Sequence, residues 1–210
     1  MAAEKNRPRI VVAVGDPRGG NGLAALQVAA DRDVARVCRV LLAGDFGALT
    51  AAARQAGIRV QLRRIALDEP GEDVPGSVEV IDRLKHPLLP RAAGKAGRAG
   101  ERIVEDLDAA LQMLLYRWAD GVVVAPVDMD AVRAAGFSYT HLASLLAEWL
   151  RLDSAVALSP VPGCTYLSVA EPIPGALLLI GVEERPRERG LRGVMKEAVE
   201  VAAALVGAKA

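Results

Sequence analysis

Aromatic side chains are nearly absent: Trp, Tyr and Phe together make up 3% of the 210 residues. Any interior must therefore be built from Ala, Val, Leu and Ile, which a hydrophobic content of 52% supplies in quantity. Excess charge is missing as well. The 26 basic residues balance the 26 acidic ones, which leaves no cationic footprint for nucleic acid or for an anionic membrane surface. Cysteine occurs only as Cys38 and Cys164, far apart and without C-x-x-C spacing, so two buried reduced thiols are expected rather than a metal or redox site. The opening MAAEKNRPR lacks the apolar core of a secretory signal. The longest apolar run, Ala176 to Val182, is too short to cross a bilayer. These absences imply a cytoplasmic protein with no membrane or nucleic-acid partner.

What is present is an alternation of short apolar runs with helical patterns. Arg9 to Val14 reads as a buried strand ending in Gly-Asp-Pro, and Asn21 is placed to cap a helix from about Leu23 to Ala30. Val37 to Ala43 is a second strand, Phe46 to Ala56 a helix closed by Gly57, and Arg59 to Ile65 a third strand. Residues 68–93 hold four prolines, and only Val78 to Leu84 suits a turn or two of helix, so this stretch is expected to be a linker or an irregular lobe.

From Gly100 to Trp118, residues Ile103, Val104, Leu107, Leu111, Leu114 and Leu115 keep a 3.6-residue period, with Glu101, Glu105, Asp106 and Asp108 assigned to the rest of the helix surface. Gly121 to Pro126 is a fully apolar strand, followed by short helices at Asp128 to Ala135 and Leu142 to Leu150. Strands at Ala155 to Leu158, Thr165 to Val169 and Ala176 to Val182 and a closing helix at Leu191 to Val206 complete the chain. The pattern predicts one α/β unit over residues 1–210: a mainly parallel sheet with helices on both faces and a reduced second lobe at about 120–185. Apolar residues in this number, at a mean hydropathy of +0.24, predict self-association as a homodimer or heteromer.

Three segments in order carry a family resemblance. Gly15-Asp16-Pro17-Arg18-Gly19 follows the first strand, and Gly44-Asp45 closes the second. Gly94-Lys95 and Ala99-Gly100 lead into the long helix, and Val124-Ala125-Pro126 ends the next strand ahead of Tyr139-Thr140-His141. The chain resembles the 4-hydroxythreonine-4-phosphate dehydrogenase (PdxA) family of vitamin B6 biosynthesis, whose members show GDPxGIGPE, IGD, GKxSxxAG, TAPINK and GHTE in that order. The resemblance spans about residues 9–172 and implies the fold of the isocitrate and isopropylmalate dehydrogenases, with NAD as cofactor and an active site assembled across a dimer interface.

The same resemblance marks losses. Ala96 stands for the Ser of GKxSxxAG, and Asp128 and Met129 stand for the Asn-Lys after the strand ending API. Aligned without gaps from Gly136, Leu142 and Ala143 take the places of the His-Thr pair of GHTE. The family holds a divalent metal with three histidines; Ala170 replaces the first, and a chain whose only histidines are His86 and His141 cannot furnish three. A divalent metal is therefore not expected.

The candidate site residues each carry two readings. The loop Gly15 to Gly22, including Asp16, Gly19, Gly20 and Asn21, presents backbone amides to a phosphate or carboxylate, or is a tight structural turn. Asp16 and Asp45 stand at strand carboxyl ends, where open α/β sheets place ligands, or they cap local amides. His141, after Thr140, is a general-base candidate or a packing residue at a helix entrance. Asp128 is a catalytic candidate or an N-cap. Lys95 is the family's GK lysine or a solvated charge. The function expected from these residues is binding of a small anionic metabolite or a partner protein, with metal-dependent dehydrogenation lost. The rival is an NAD-dependent oxidoreductase completed by a partner chain that carries the missing ligands.

Overall fold

A computed structural model describes residues 7–15, 20–67, 71, 73–82, 94–149, 156–158, 164–169, 177–182 and 190–207. Within them lie eight strands: β1 (Arg9–Ala13), β2 (Arg39–Ala43), β3 (Gln61–Ile65), β4 (Ser77–Ile81), β5 (Gly121–Val124), β6 (Val156–Leu158), β7 (Cys164–Val169) and β8 (Leu177–Val182). The helices are α1 (Asn21–Ala29), α2 (Arg32–Val37), α3 (Phe46–Gln55), α4 (Gly94–Leu115), α5 (Met129–Ala134), α6 (Leu142–Trp149) and α7 (Gly190–Gly207). All strands join one sheet in the order β3-β4-β2-β1-β5-β8-β7-β6. Pairing is parallel from β3 through β8 and antiparallel for β8 with β7 and β7 with β6. This is the mainly parallel α/β sheet that the alternation implies.

β1 shows why its sequence is a continuous apolar run. Ile10, Val12 and Val14 pack with α1, α3 and α7 on one face, while Val11 and Ala13 pack with α4 and α6 on the other. A strand covered on both faces has no solvent side to carry polar residues. Ile10, Val11 and Val12 are fully buried, and each contributes about 1.5–3 kcal/mol relative to an exposed side chain.

Several elements depart from the expectations. Residues 77–81 are neither linker nor helix but β4, an interior strand between β3 and β2. Its central Glu79 interrupts the apolar pattern yet is only 3% exposed, because Arg39 at the start of β2 pairs with it. Residues 68–70, 72 and 83–93 of the Pro-rich stretch lie outside the described residues. A short helix, α2, precedes β2: Asp31 accepts from the amides of Asp33 and Val34, and Val37 closes the helix instead of opening the strand. Asp106 is not on the outer surface of α4 but buried at 2% exposure, whereas Leu115 is half exposed. Residues 121–182, where a reduced second lobe is expected, supply four strands of the same sheet, with β5 directly against β1. Cys38 is a buried free thiol. Among the described residues no helix is long and apolar enough to cross a membrane.

Candidate functional site

β1 has β2 on one side and β5 on the other, so the strand order reverses at the β1–β5 junction. Open α/β sheets bind ligands outside the carboxyl ends of such strands, where successive loops diverge. Here that region is bounded by Val14 and Gly15, by Ala125 to Asp128, and by the first turns of α1 and α5. Gly15 and Gly20 both have positive φ, 66° and 85°, which only glycine adopts without strain. A Cβ on Gly15 would stand 3.4 Å from Ile103 of α4, so the loop also passes close to that helix.

Asn21 is not the N-cap that its position suggests. Gly20 occupies that position, and no side chain caps α1. Asn21 is instead 5% exposed, and its Nδ2 donates to the carbonyl of Val14 at 3.1 Å and to that of Pro126 at 2.9 Å. One side chain therefore ties the ends of β1 and β5 across the switch point. The first turn of α1 contains no acidic residue, and among the described residues no side chain accepts from its backbone N–H groups, the arrangement that favours an anion. Asp16 and Gly19 lie outside the described residues.

The other candidates hold local backbone. Asp45 caps α3, its Oδ1 accepting from the Ala48 amide at 2.8 Å. Asp128 caps α5, its Oδ1 accepting from Asp130 and Ala131, each at 3.0 Å. Thr140 and His141 are exposed at the entrance to α6, where the His141 carbonyl accepts from Ser144 and Leu145. The His141 imidazole has no hydrogen-bond or ion-pair partner among the described residues. Beside it, burial pushes the Tyr139 hydroxyl above its usual range, with Glu148 adding to the shift. Lys95 lies in the first turn of α4, and its side chain is outside the described residues.

A charged cluster that the sequence does not announce lies beside this edge, at the carboxyl end of β4. Asp82, with a side chain 1% exposed, accepts from Arg102 at 3.0 Å and pairs with Arg64 at 3.1 Å. It also accepts from the Phe46 amide at 3.3 Å, next to the α3 cap. Arg102 Nε stands 2.9 Å from Asp106 Oδ1, close enough for an ion pair but poorly aligned as a hydrogen bond, and Asp106 Oδ2 has no hydrogen-bond partner among the described residues. Burial raises the Asp106 carboxyl well above the ordinary range against the opposing pull of Arg102. Burial also weighs against the Arg102 charge, but Asp106 and Asp82 outweigh it, so Arg102 stays cationic. The only sequence signal was the i, i+4 spacing of Arg102 and Asp106 in α4.

These groups do not form a metal site. Among the described residues no set of three or more His, Cys, Asp and Glu side chains is placed to hold a metal ion. The Asp128 carboxylate already accepts from two amides.

The family model for the pyridoxal phosphate biosynthetic protein PdxA matches residues 36–171, well over half of the chain. The chain belongs to the PdxA family. The match begins after the Gly15-Asp16-Pro17 segment and includes β2, α4, β5 and all of β7. A 4-hydroxythreonine-4-phosphate dehydrogenase from Geobacter metallireducens is 27% identical over 155 residues, covering 72% of this chain and 45% of its own. A candidate D-threonate 4-phosphate dehydrogenase from Symbiobacterium thermophilum is 24% identical over 146 residues, covering 68% and 43%. Among solved structures, a 4-hydroxythreonine-4-phosphate dehydrogenase from Burkholderia phymatum matches with a TM-score of 0.64 at 24% identity over 80% of this chain and 51% of that one. The Klebsiella pneumoniae enzyme of the same name matches at 0.62 and 21% identity over 77% and 50%. These structural likenesses establish the PdxA-type fold. The chain spans about half the length of the curated relatives it matches.

Proposed function

We propose that this PdxA-family chain binds a small phosphorylated or carboxylated metabolite at the β1–β5 switch point and does not by itself oxidise it. The observation that carries this reading is how the polar groups at that edge are used. Asn21 is bonded to two carbonyls, and Asp45 and Asp128 are bonded to helix amides. Asn21 carries no titratable group, and each of the two carboxylates is engaged through its Oδ1 in holding a helix start. The uncapped start of α1 retains backbone donors for an anion. The names of two relatives refer to phosphorylated four-carbon hydroxy acids, and ligands of that class suit such a site. Among the described side chains His141 is the one titratable candidate without a partner, and a general base needs a partner to orient it.

A second reading is supported by the half-length match: an NAD-dependent oxidoreductase completed by groups on another polypeptide segment, such as a partner chain. In that case NAD would accept hydride and a metal supplied with the second segment would polarise the substrate.

Thermal denaturation with and without 4-phosphohydroxythreonine tests the first reading. A ligand at 100 times its Kd stabilises the fold by ~2.7 kcal/mol. A saturable rise in Tm without added metal is expected. A rise that requires Zn²⁺ or Mg²⁺ overturns the metal-independent reading and favours the second.

A further inference from the structure

At the opposite edge of the sheet, where β2, β3 and β4 begin, the surface folds into a cavity of about 370 Å³. Among the described residues four arginines line it, Arg7, Arg32, Arg39 and Arg59, with Asp73 the only acidic one. Two of the four are held by other residues. Arg7 donates to the Ala35 carbonyl and pairs with Asp73. Arg39 donates through Nη2 to the Gly71 carbonyl at 2.8 Å and pairs through the same nitrogen with the buried Glu79. Arg32 and Arg59 are exposed and have no hydrogen-bond or ion-pair partner among the described residues.

Charges of one sign repel, and their convergence at a concave surface raises the local concentration of counter-ions. Asp73 and Glu79 offset Arg7 and Arg39, which leaves Arg32 and Arg59 uncompensated at the rim among the described residues. Guanidinium groups present planar N–H forks that match the oxygens of phosphate and carboxylate, a geometry lysines would not give. A volume of about 370 Å³ lies in the range of small-molecule sites, which starts near 300 Å³.

We propose that this cavity is a second ligand site, separate from the switch point, for a small multiply charged oxyanion carrying phosphate or several carboxylates. It binds without doing chemistry. Among the described residues two potential nucleophiles line it: the Ser77 hydroxyl donates to the Val74 carbonyl at 2.8 Å, and Cys38 is 1% exposed, with burial pushing its thiol up to about 12. The thiol therefore stays protonated at neutral pH, and no base stands against the hydroxyl among the described residues.

The test is an amide-resolved NMR titration of the full chain with inorganic phosphate and, separately, with succinate, at ionic strength held constant with sodium chloride. Saturable shifts at Cys38, Gly76 and Ser77 are expected with at least one of the two anions, and the comparison shows which oxyanion is preferred. The doubly substituted R32Q/R59Q chain should keep the same spectrum, since both side chains are exposed, but lose roughly tenfold or more in affinity. The proposal is overturned if neither anion saturates, if R32Q/R59Q binds as tightly as the unsubstituted chain, or if the saturable shifts centre on Gly20 and Asn21.

Discussion

Asn21 and Pro126 meet across the switch point of the sheet: the Asn21 amide donates to the Pro126 carbonyl at 2.9 Å while also donating to Val14 at 3.1 Å. Residues 105 positions apart are thereby held at one point, and the carboxyl ends of β1 and β5 keep a fixed separation. Removing the side chain leaves two carbonyls without this donor in a buried setting. Asn21→Ala should cost about 1–3 kcal/mol, read as a fall in the urea midpoint. Asn21→Asp should cost more, because a carboxylate would face two carbonyl oxygens.

Gly100 marks the closest approach of α4 to α5. A Cβ there would stand 1.9 Å from the Ala131 carbonyl oxygen, and backbone cannot turn aside as a side chain can. Gly100→Ala should destabilise by about 3 kcal/mol, the upper part of the overpacking range. Gly207→Ala, where a Cβ meets nothing within 4 Å, should change stability by less than about 0.5 kcal/mol. Equal losses for the two in chemical denaturation would contradict the packing assigned to Gly100.

Asp31 caps α2 and pairs with Lys196 of α7 through both carboxylate oxygens at 3.0 Å. Burial alone raises its pKa, but the Lys196 hydrogen bond and the Asp33 and Val34 amides outweigh burial, so the carboxyl lies below its usual range. A lowered folded pKa gives stability that is present above the unfolded value and lost as pH falls through the folded one. Asp31→Ala should cost about 1–2 kcal/mol at neutral pH, and the gap from the unsubstituted chain should close as the solution is acidified.

Asp106 should behave with the opposite sign. Burial holds its carboxyl well above the ordinary range despite Arg102, so the folded state retains its proton more readily than the unfolded chain. Its contribution is fully present below the unfolded pKa of about 3.9 and is lost as pH rises through the folded value. Asp106→Asn keeps the shape without the ionisation. Its stability relative to the unsubstituted chain should improve as pH rises from 4 to 8, measured as urea midpoints across that range.

The sheet was legible because its strands are buried on both faces: Ile10 to Val14 and Gly121 to Val124 leave no position for a polar residue. β4 was hidden because Glu79 stands in its middle, and only the Arg39 pairing, made from another strand, makes that burial affordable. Asp106 was misplaced for the same reason, since helical period assigns charges to the outside unless a partner is known. At the site the residue types were visible but their roles were not. Asn21 sits one residue inside the helix it seemed to cap, and the carbonyls of Val14 and Pro126 come together with it only in the folded sheet.

The central claim is that the switch point binds a phosphorylated hydroxy acid without oxidising it. The most direct measurement is NADH formation, followed by absorbance, when the purified chain is mixed with NAD and 4-phosphohydroxythreonine in the presence of Mg²⁺ or Zn²⁺. The claim predicts no NADH above the protein-free control under conditions where the same ligand raises Tm. Sustained NADH formation proportional to the concentration of the chain would contradict it.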